Sequence, residues 1–111
     1  MFEKLYIANR TKENGVTVEV GISGQLSIPL KLRLDLYNHS PDGFEWGYGG
    51  SGPTQLALAL LADFMGDEYA LANYHAFRDA FTSKIEQDKD YWHITDGELK
   101  GLLIHEGLLS K

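Results

Sequence analysis

A run of alternating residues in the first third of the chain constrains the fold most strongly. Six leucine and isoleucine residues occupy every second position from Leu26 to Leu36. Successive side chains of a β-strand point to opposite faces, so this period of two predicts one long strand with a single apolar face. Pro29 cannot donate a hydrogen bond to a neighbouring strand, and we therefore expect this strand at a sheet edge or bent at that position.

Two patterns upstream predict the rest of a sheet. Residues 4–8 form a short β-favouring apolar segment, and apolar residues alternate again over residues 16–22. The Asn-Gly pair at 14–15 predicts a tight turn between them, and the Ser-Gly pair at 23–24 predicts a second turn. The three strands in this order predict an antiparallel meander, whose apolar face helices would cover.

The second half of the chain is predicted to be mainly helical. Pro53 suits the first turn of a helix over residues 53–65, with Ser51 or Gly52 as its cap, and Gly66 is a typical helix end. That helix is apolar nearly all round, which is typical of the centre of a small domain. A second helix is predicted over residues 67–85, with a buried stripe at three- and four-residue spacing: Ala70, Tyr74, Phe77, Phe81 and Ile85.

The last part of the chain predicts one more strand and one more helix. Residues 91–94 form a possible short fourth strand, and Thr95 with Glu98 predicts a capping box that begins the final helix. The sequence therefore predicts a single α+β domain over residues 1–111, in the order β-β-β-α-α-β-α, with the three-stranded meander packed by two or three helices.

Composition excludes several classes of function. The chain has no cysteine, which excludes disulfides, thiolate metal sites and a cysteine nucleophile. Its net charge of −6 disfavours direct binding to nucleic acid or to an anionic membrane. No apolar run is long enough to span a bilayer, and the first residues lack a signal-peptide pattern, so we expect a cytoplasmic protein without a cofactor.

A glycine-rich run over residues 43–53, between the predicted sheet and the first predicted helix, is the best candidate for a ligand site. Glycines allow backbone N–H groups to approach a ligand closely, and a helix N-terminus favours an anion. Aromatic rings in the same run could stack on a base or a sugar. The candidate ligand-binding residues are Trp46, Tyr48, Gly49, Gly50, Ser51, Gly52 and Gln55. The other interpretation is structural: the glycines allow a tight loop and the aromatic residues fill the core.

Catalytic candidates are weaker. Glu45 or His39 could act as a general base, and Ser51 as a nucleophile, but sequence spacing does not place them together. The run also lacks the Lys-Ser or Lys-Thr of a phosphate-binding loop and the complete hydrolase elbow. No pair of histidines has the spacing of a helical metal site, so we expect no metal.

The acidic residues suggest a partner. Residues 61–111 contain ten acidic and five basic residues, against six and five in residues 1–60. This surface either keeps the protein soluble or meets a protein with a basic surface. The unpaired edge of the predicted meander could also pair with a second copy, giving a homodimer.

The segment FEWGYGGSGPTQLALALL, residues 44–61, resembles the signature of a family of small uncharacterised bacterial, plasmid and phage proteins. The resemblance extends more loosely over nearly the whole chain, including residues 92–95. It implies a mobile-element context and a domain of unknown function, and it assigns no catalytic residue.

Two hypotheses about function follow. The first is a non-catalytic interaction protein, such as a phage or plasmid accessory or anti-defence factor of the anti-CRISPR type, that binds a protein partner or a small anionic ligand at the glycine-rich run. The alternative is a small hydrolase or transferase that acts on a phosphate-bearing or nucleotide substrate.

Overall fold

The secondary structure is α+β, with the predicted element order. The computed structural model describes residues 3–22 and 25–110. Its strands and helices follow the order β-β-β-α-α-β-α, which confirms the predicted fold class. Internal contacts divide the chain into two compact units. Unit 1 comprises Met1–Leu30 and Asp90–Lys111, and unit 2 comprises Lys31–Lys89.

Unit 1 contains an antiparallel sheet of four strands. They are β1 (Lys4–Thr11), β2 (Gly15–Ile22), β3 (Ile28–Pro29) and β4 (Tyr91–Thr95), and their order in the sheet is β3-β2-β1-β4. Gly15 has a φ of 64°, a conformation that glycine adopts without strain, and it pairs with Thr11 across the predicted turn. The second predicted turn, at 23–24, lies outside the described residues.

The third strand is far shorter than the alternation predicts. In residues 25–36, which the structure describes throughout, only Ile28 and Pro29 pair with β2, and β3 forms an edge of the sheet, as the proline predicts. The prediction of one strand from Leu26 to Leu36 is wrong. Leu30 still donates its N–H to the Val18 carbonyl, at 2.8 Å. Beyond it the chain leaves the sheet, and Arg33 adopts a φ of 59°.

One face of the unit 1 sheet is buried. The inward residues are Tyr6, Ala8, Val18, Val20, Trp92 and Ile94, which are in register across β1, β2 and β4. Helix α3 (Asp96–His105) lies against β4 and β1 and buries Leu99 and Leu103. It begins with the predicted capping box, because Thr95 accepts from the Glu98 N–H while Glu98 accepts from the Thr95 N–H.

Unit 2 is built around helix α1 (Ser51–Met65). Every residue from Gly52 to Ala62 is buried, as its apolar composition predicts. The helix ends at Gly66, as predicted, with a φ of 96°. Its N-cap is Gly50 rather than the predicted Ser51 or Gly52, because the Thr54 N–H bonds back to the Gly50 carbonyl at 3.2 Å and adds residues to the first turn.

The second predicted helix is divided. Helix α2 (Asp67–Phe77) packs against α1 and continues into a π-helical turn over Arg78–Thr82. A π turn holds one more residue than an α turn, so the buried side after Phe77 shifts from Phe81 to Thr82. The prediction of a regular helix to Ile85 is therefore wrong. No helix in the described residues is long and apolar enough to cross a bilayer.

Candidate functional site

The glycine-rich run forms a loop in unit 2, which we call the glycine-rich loop. The first half of this loop, up to Gly47, is held in place by hydrogen bonds. Trp46 is fully buried and its indole N–H donates to the Lys89 carbonyl at 2.9 Å. The next residue, Gly47, donates its N–H to the Thr82 carbonyl, also at 2.9 Å. Gly47 has a φ of 91°, and a Cβ there would lie 2.5 Å from the Gln87 Cα, so only glycine fits. This half of the loop is a packed connector.

The second half of the loop is open. Tyr48 is 42% exposed, and Gly49 and Ser51 are also exposed. The Tyr48 ring lies where a side chain at Gly50 would have to go, which keeps the loop close to the start of α1. Within the described part of the chain, the N–H groups of Gly49, Gly50 and Ser51 have no acceptor. We call residues 48–52 the loop tip.

Gln55 organises the chain that leads into the loop. Its side chain is fully buried, and its Oε1 accepts from the N–H groups of His39 and Ser40 at 2.8 and 3.0 Å. Its Nε2 donates to the carbonyls of Leu32 and Tyr37 at 2.6 and 3.1 Å. These four bonds use both lone pairs and both N–H groups of the amide, so Gln55 positions residues 32–40 and has no group left for a ligand.

His39 lies in a cluster of rings that we call the His39 cluster: Tyr37, His39, Tyr74 and His75. The His39 ring stacks on Tyr37 with centroids 4.3 Å apart, and its Nε2 is 2.8 Å from the Tyr74 hydroxyl. The His75 ring is 4.2 Å from the Tyr74 ring and 6.0 Å from the His39 ring. Gln55 accepts a hydrogen bond from the backbone N–H of His39. The same side chain of α1 therefore positions both the segment before the loop and the His39 ring.

Arg78 connects this cluster to the first turn of α1. Its Nη1 is 3.5 Å from His75 Nδ1 and 3.2 Å from Thr54 Oγ1. Thr54 Oγ1 in turn donates to the Gly50 carbonyl at 2.8 Å. The guanidinium is therefore one side chain away from the loop tip. Its Nε binds Asp79, whose carboxylate is mostly exposed.

The environment of the cluster favours the neutral forms of His39 and Tyr74. Burial lowers the pKa of His39, and the nearby His75 and Arg78 lower it further. Burial raises the pKa of Tyr74, with a further contribution from Tyr37. Arg78 brings a guanidinium, paired on one side with Asp79, to Thr54 in the first turn of α1, where the helix N–H groups carry partial positive charge. Chemically, this arrangement can hold an anion.

A protein-family model matches residues 6–104 of the chain. The chain belongs to the family of unknown function DUF6166. The DUF6166 match spans the whole of unit 2, so the glycine-rich loop, the His39 cluster and Arg78 all lie within it. No curated protein and no solved structure is detectably similar to the chain.

The structure places the predicted site residues of this DUF6166 chain in different environments. Tyr48, Gly49 and Ser51 of the loop tip are exposed, whereas Gly52 is buried and Trp46 and Gln55 are fully buried. Glu45 is half-buried: its Oε1 accepts from the Trp46 N–H at 3.3 Å, and its Cβ lies beside the Gly52 backbone. No hydrogen bond joins His39, Glu45 and Ser51 to one another within the described residues. The ligand-binding assignment of the run stays a prediction.

Sequence reasoning missed Tyr74, His75 and Arg78. The sequence predicts Tyr74 only as part of the buried stripe and assigns no role to His75 or Arg78. The available signal was that Tyr74, His75 and Arg78 occupy adjacent positions on one side of a helix. In the described residues, histidine and acidic side chains form no group of three or more that could hold a metal ion.

Proposed function

We propose that this DUF6166 protein is a non-catalytic binding protein whose ligand carries an anionic group, phosphate or carboxylate, that docks between the loop tip and Arg78. The observation that carries the proposal is that Arg78 contacts Thr54 in the first turn of α1, directly after three loop-tip N–H groups, those of Gly49, Gly50 and Ser51, that have no acceptor in the described residues. On a chain with a net charge of −6, this is a local concentration of hydrogen-bond donors with a positive charge beside them.

The accessible aromatic ring supports a ligand larger than the anion itself. Tyr48 is 42% exposed at the same loop tip, so one face of the ring could contact a flat group attached to the anion. Nucleotides and phosphorylated aromatic metabolites have this combination of groups. Such a ligand would be held by the backbone, the ring and Arg78 together.

A direct test is titration with adenosine monophosphate, followed by amide chemical shifts and calorimetry. Adenosine is the matched probe without the phosphate. We expect adenosine monophosphate to shift the amides of Gly49 to Gly52, and Arg78→Gln to weaken binding about tenfold or more, because a charge-assisted hydrogen bond is lost. Lys84→Gln, an exposed cation in the following segment, is the control and should bind normally.

Two results would reject this proposal. One is equal binding of adenosine and adenosine monophosphate, which would remove the role of the anion. The other is the absence of amide shifts at the loop tip with adenosine monophosphate and with inorganic phosphate, each at about 10 mM, which would leave the N–H groups without a ligand of this class.

The alternative, a phosphoester hydrolase or transferase, is favoured by one observation. His39 has a lowered pKa and hydrogen-bonds to Tyr74. Its imidazole is therefore neutral at pH 7 and could accept a proton from a nucleophile. Under this alternative, p-nitrophenyl phosphate would be turned over and His39→Gln would abolish the turnover while leaving adenosine monophosphate bound. Under the binding proposal, the wild-type protein releases no p-nitrophenol above the buffer rate.

A further inference from the structure

The unit 1 sheet has a second face, opposite the buried one. Leu5 and Ile7 of β1 lie on it, because they alternate with the buried Tyr6 and Ala8. In register beside them are Gly21 of β2 and His93 of β4. These outward aliphatic residues are half-buried rather than buried, so this face is not covered by the rest of unit 1.

An open cavity of about 540 Å³ lies on this face. Its apolar lining includes Leu5, Ile7, Ile22 and Leu26. The depth comes partly from Gly21, which has no side chain opposite Leu5. Leu26 is 93% exposed and Ile28 is 64% exposed, so a partner could bury apolar surface here.

The charges around the cavity select among occupants. Glu3 lines the cavity, no lysine or arginine does so among the described residues, and Glu19 hydrogen-bonds to the lining residue Ser27. A second copy of the chain would bring its own net charge of −6 to these carboxylates. A partner with lysine or arginine beside its aliphatic side chains would instead complement them.

We propose that the outer face of the unit 1 sheet is an interaction surface for a protein segment that inserts an aliphatic side chain beside Leu26 and places a basic residue against Glu3. The cavity is large enough for several aliphatic side chains, and its lining combines apolar contacts with the Glu3 carboxylate. Such an arrangement is typical of protein interfaces. This surface belongs to unit 1, so the inference does not depend on the anion site of unit 2.

The probe is a short capped peptide of alternating lysine and leucine, titrated into the full chain and followed by amide and methyl chemical shifts. Two matched peptides are compared with it: one carries glutamate in place of lysine, and the other carries serine in place of leucine. We expect the lysine–leucine peptide to bind best and to shift the resonances of Leu5, Ile7, Gly21 and Leu26. Leu26→Ser should weaken it about tenfold, since a leucine contact is lost.

Matched variants test the acidic part and the apolar part of this surface separately. Glu3→Gln should weaken the basic peptide about threefold, as expected for one exposed charge pair, while Glu13→Gln in the β1–β2 turn should have no effect. Leu71→Ser, at a leucine that is 46% exposed on α2, is the control for Leu26→Ser.

Three outcomes would overturn the proposal. The glutamate–leucine peptide could bind as tightly as the basic one, or the shifts could map away from this face, or about 1 mM basic peptide could produce none. Light scattering on the free chain adds a fourth: self-association abolished by Leu26→Ser would assign the face to a second copy. Arg78→Gln should leave peptide binding unchanged, which distinguishes failure here from failure of the anion site.

Discussion

At the scale of single residues, Gln55 determines the path of the chain before the glycine-rich loop. An amide that is fully buried must have its hydrogen bonds satisfied within the protein, and Gln55 satisfies all four with backbone groups of residues 32–40. Among the described residues, no other backbone group bonds to these four groups. Gln55 is thus a structural residue, although its position in the motif suggests a ligand contact.

We expect Gln55→Met, which is similar in shape, to lower the free energy of unfolding by about 3 kcal/mol, because four buried backbone groups lose their partner. Gln55→Glu keeps the acceptor but brings a carboxylate to the Leu32 and Tyr37 carbonyls, and should be at least as unstable. Urea unfolding measures both, with the exposed Gln25→Met as the control. A loss below about 1 kcal/mol for Gln55→Met would contradict this role.

Arg33 combines a strained backbone with two ion pairs. Its φ is 59°, and its guanidinium binds Asp35 at 3.0 Å and Asp67 at 2.9 Å. Alanine and glycine at this position both lose the ion pairs, but only glycine relieves the backbone strain. We therefore expect Arg33→Gly to be more stable than Arg33→Ala by about 1 kcal/mol in urea unfolding.

Lys31 supplies the control for this comparison, because its φ is not positive. There the order should reverse, with Lys31→Ala at least as stable as Lys31→Gly, since glycine adds freedom to the unfolded chain. If Arg33→Ala equals or exceeds Arg33→Gly in stability, the backbone conformation at Arg33 carries no strain.

At the scale of elements, the sequence predicts the order of strands and helices, but it fails on the extent of two of them, where a distant side chain competes with the local pattern. The alternation after Leu30 is regular, but Gln55 takes the carbonyls of Leu32 and Tyr37, which a strand would offer to its neighbour. The Leu36 N–H bonds to the Arg33 carbonyl and closes a turn instead. Periodicity reports which residues could share a face, and it cannot report a hydrogen bond from a residue some 20 positions away.

The π-helical turn has a comparable cause. Thr82 donates its hydroxyl to the Pro53 carbonyl at 2.9 Å, and its own carbonyl accepts from Gly47. An α-helical continuation would place Phe81 rather than Thr82 on the buried side. The candidate site divides in the same way: glycine content predicts the loop tip, whereas Arg78 contacts Thr54 only because α1 packs against α2 and the π turn.

Thr82 therefore connects the π turn to both α1 and the loop. We expect Thr82→Val to lower the free energy of unfolding by about 1.5 kcal/mol, because a buried carbonyl loses its donor, while Thr82→Ser keeps the bond and loses less. Thr17→Val, on an exposed position of β2, is the control for the change in shape. Equal losses for valine and serine at Thr82 would mean that the methyl group, not the hydroxyl, stabilises the turn.

At the scale of the whole molecule, the side chains whose pKa values change on folding predict how the free energy of unfolding depends on pH. His39 has a lowered pKa when folded, so between that pKa and about 6.5 the unfolded chain binds more protons, and stability falls as pH decreases through this range. Lowered pKa values also hold for Asp35 and Asp67, through Arg33, and for Glu98, through the Thr95 N–H. Their stabilisation is present above the ordinary carboxyl range and is lost as pH falls through it.

Acid should therefore destabilise the protein in two stages, which urea midpoints between pH 8 and pH 3 can resolve. His39→Gln should remove the first stage, below about pH 6.5, and leave the second. The control His105→Gln changes an exposed histidine at the end of α3, outside the cluster, and should keep both stages. If the first stage survives in His39→Gln, the loss of stability below about pH 6.5 does not come from protonation of His39.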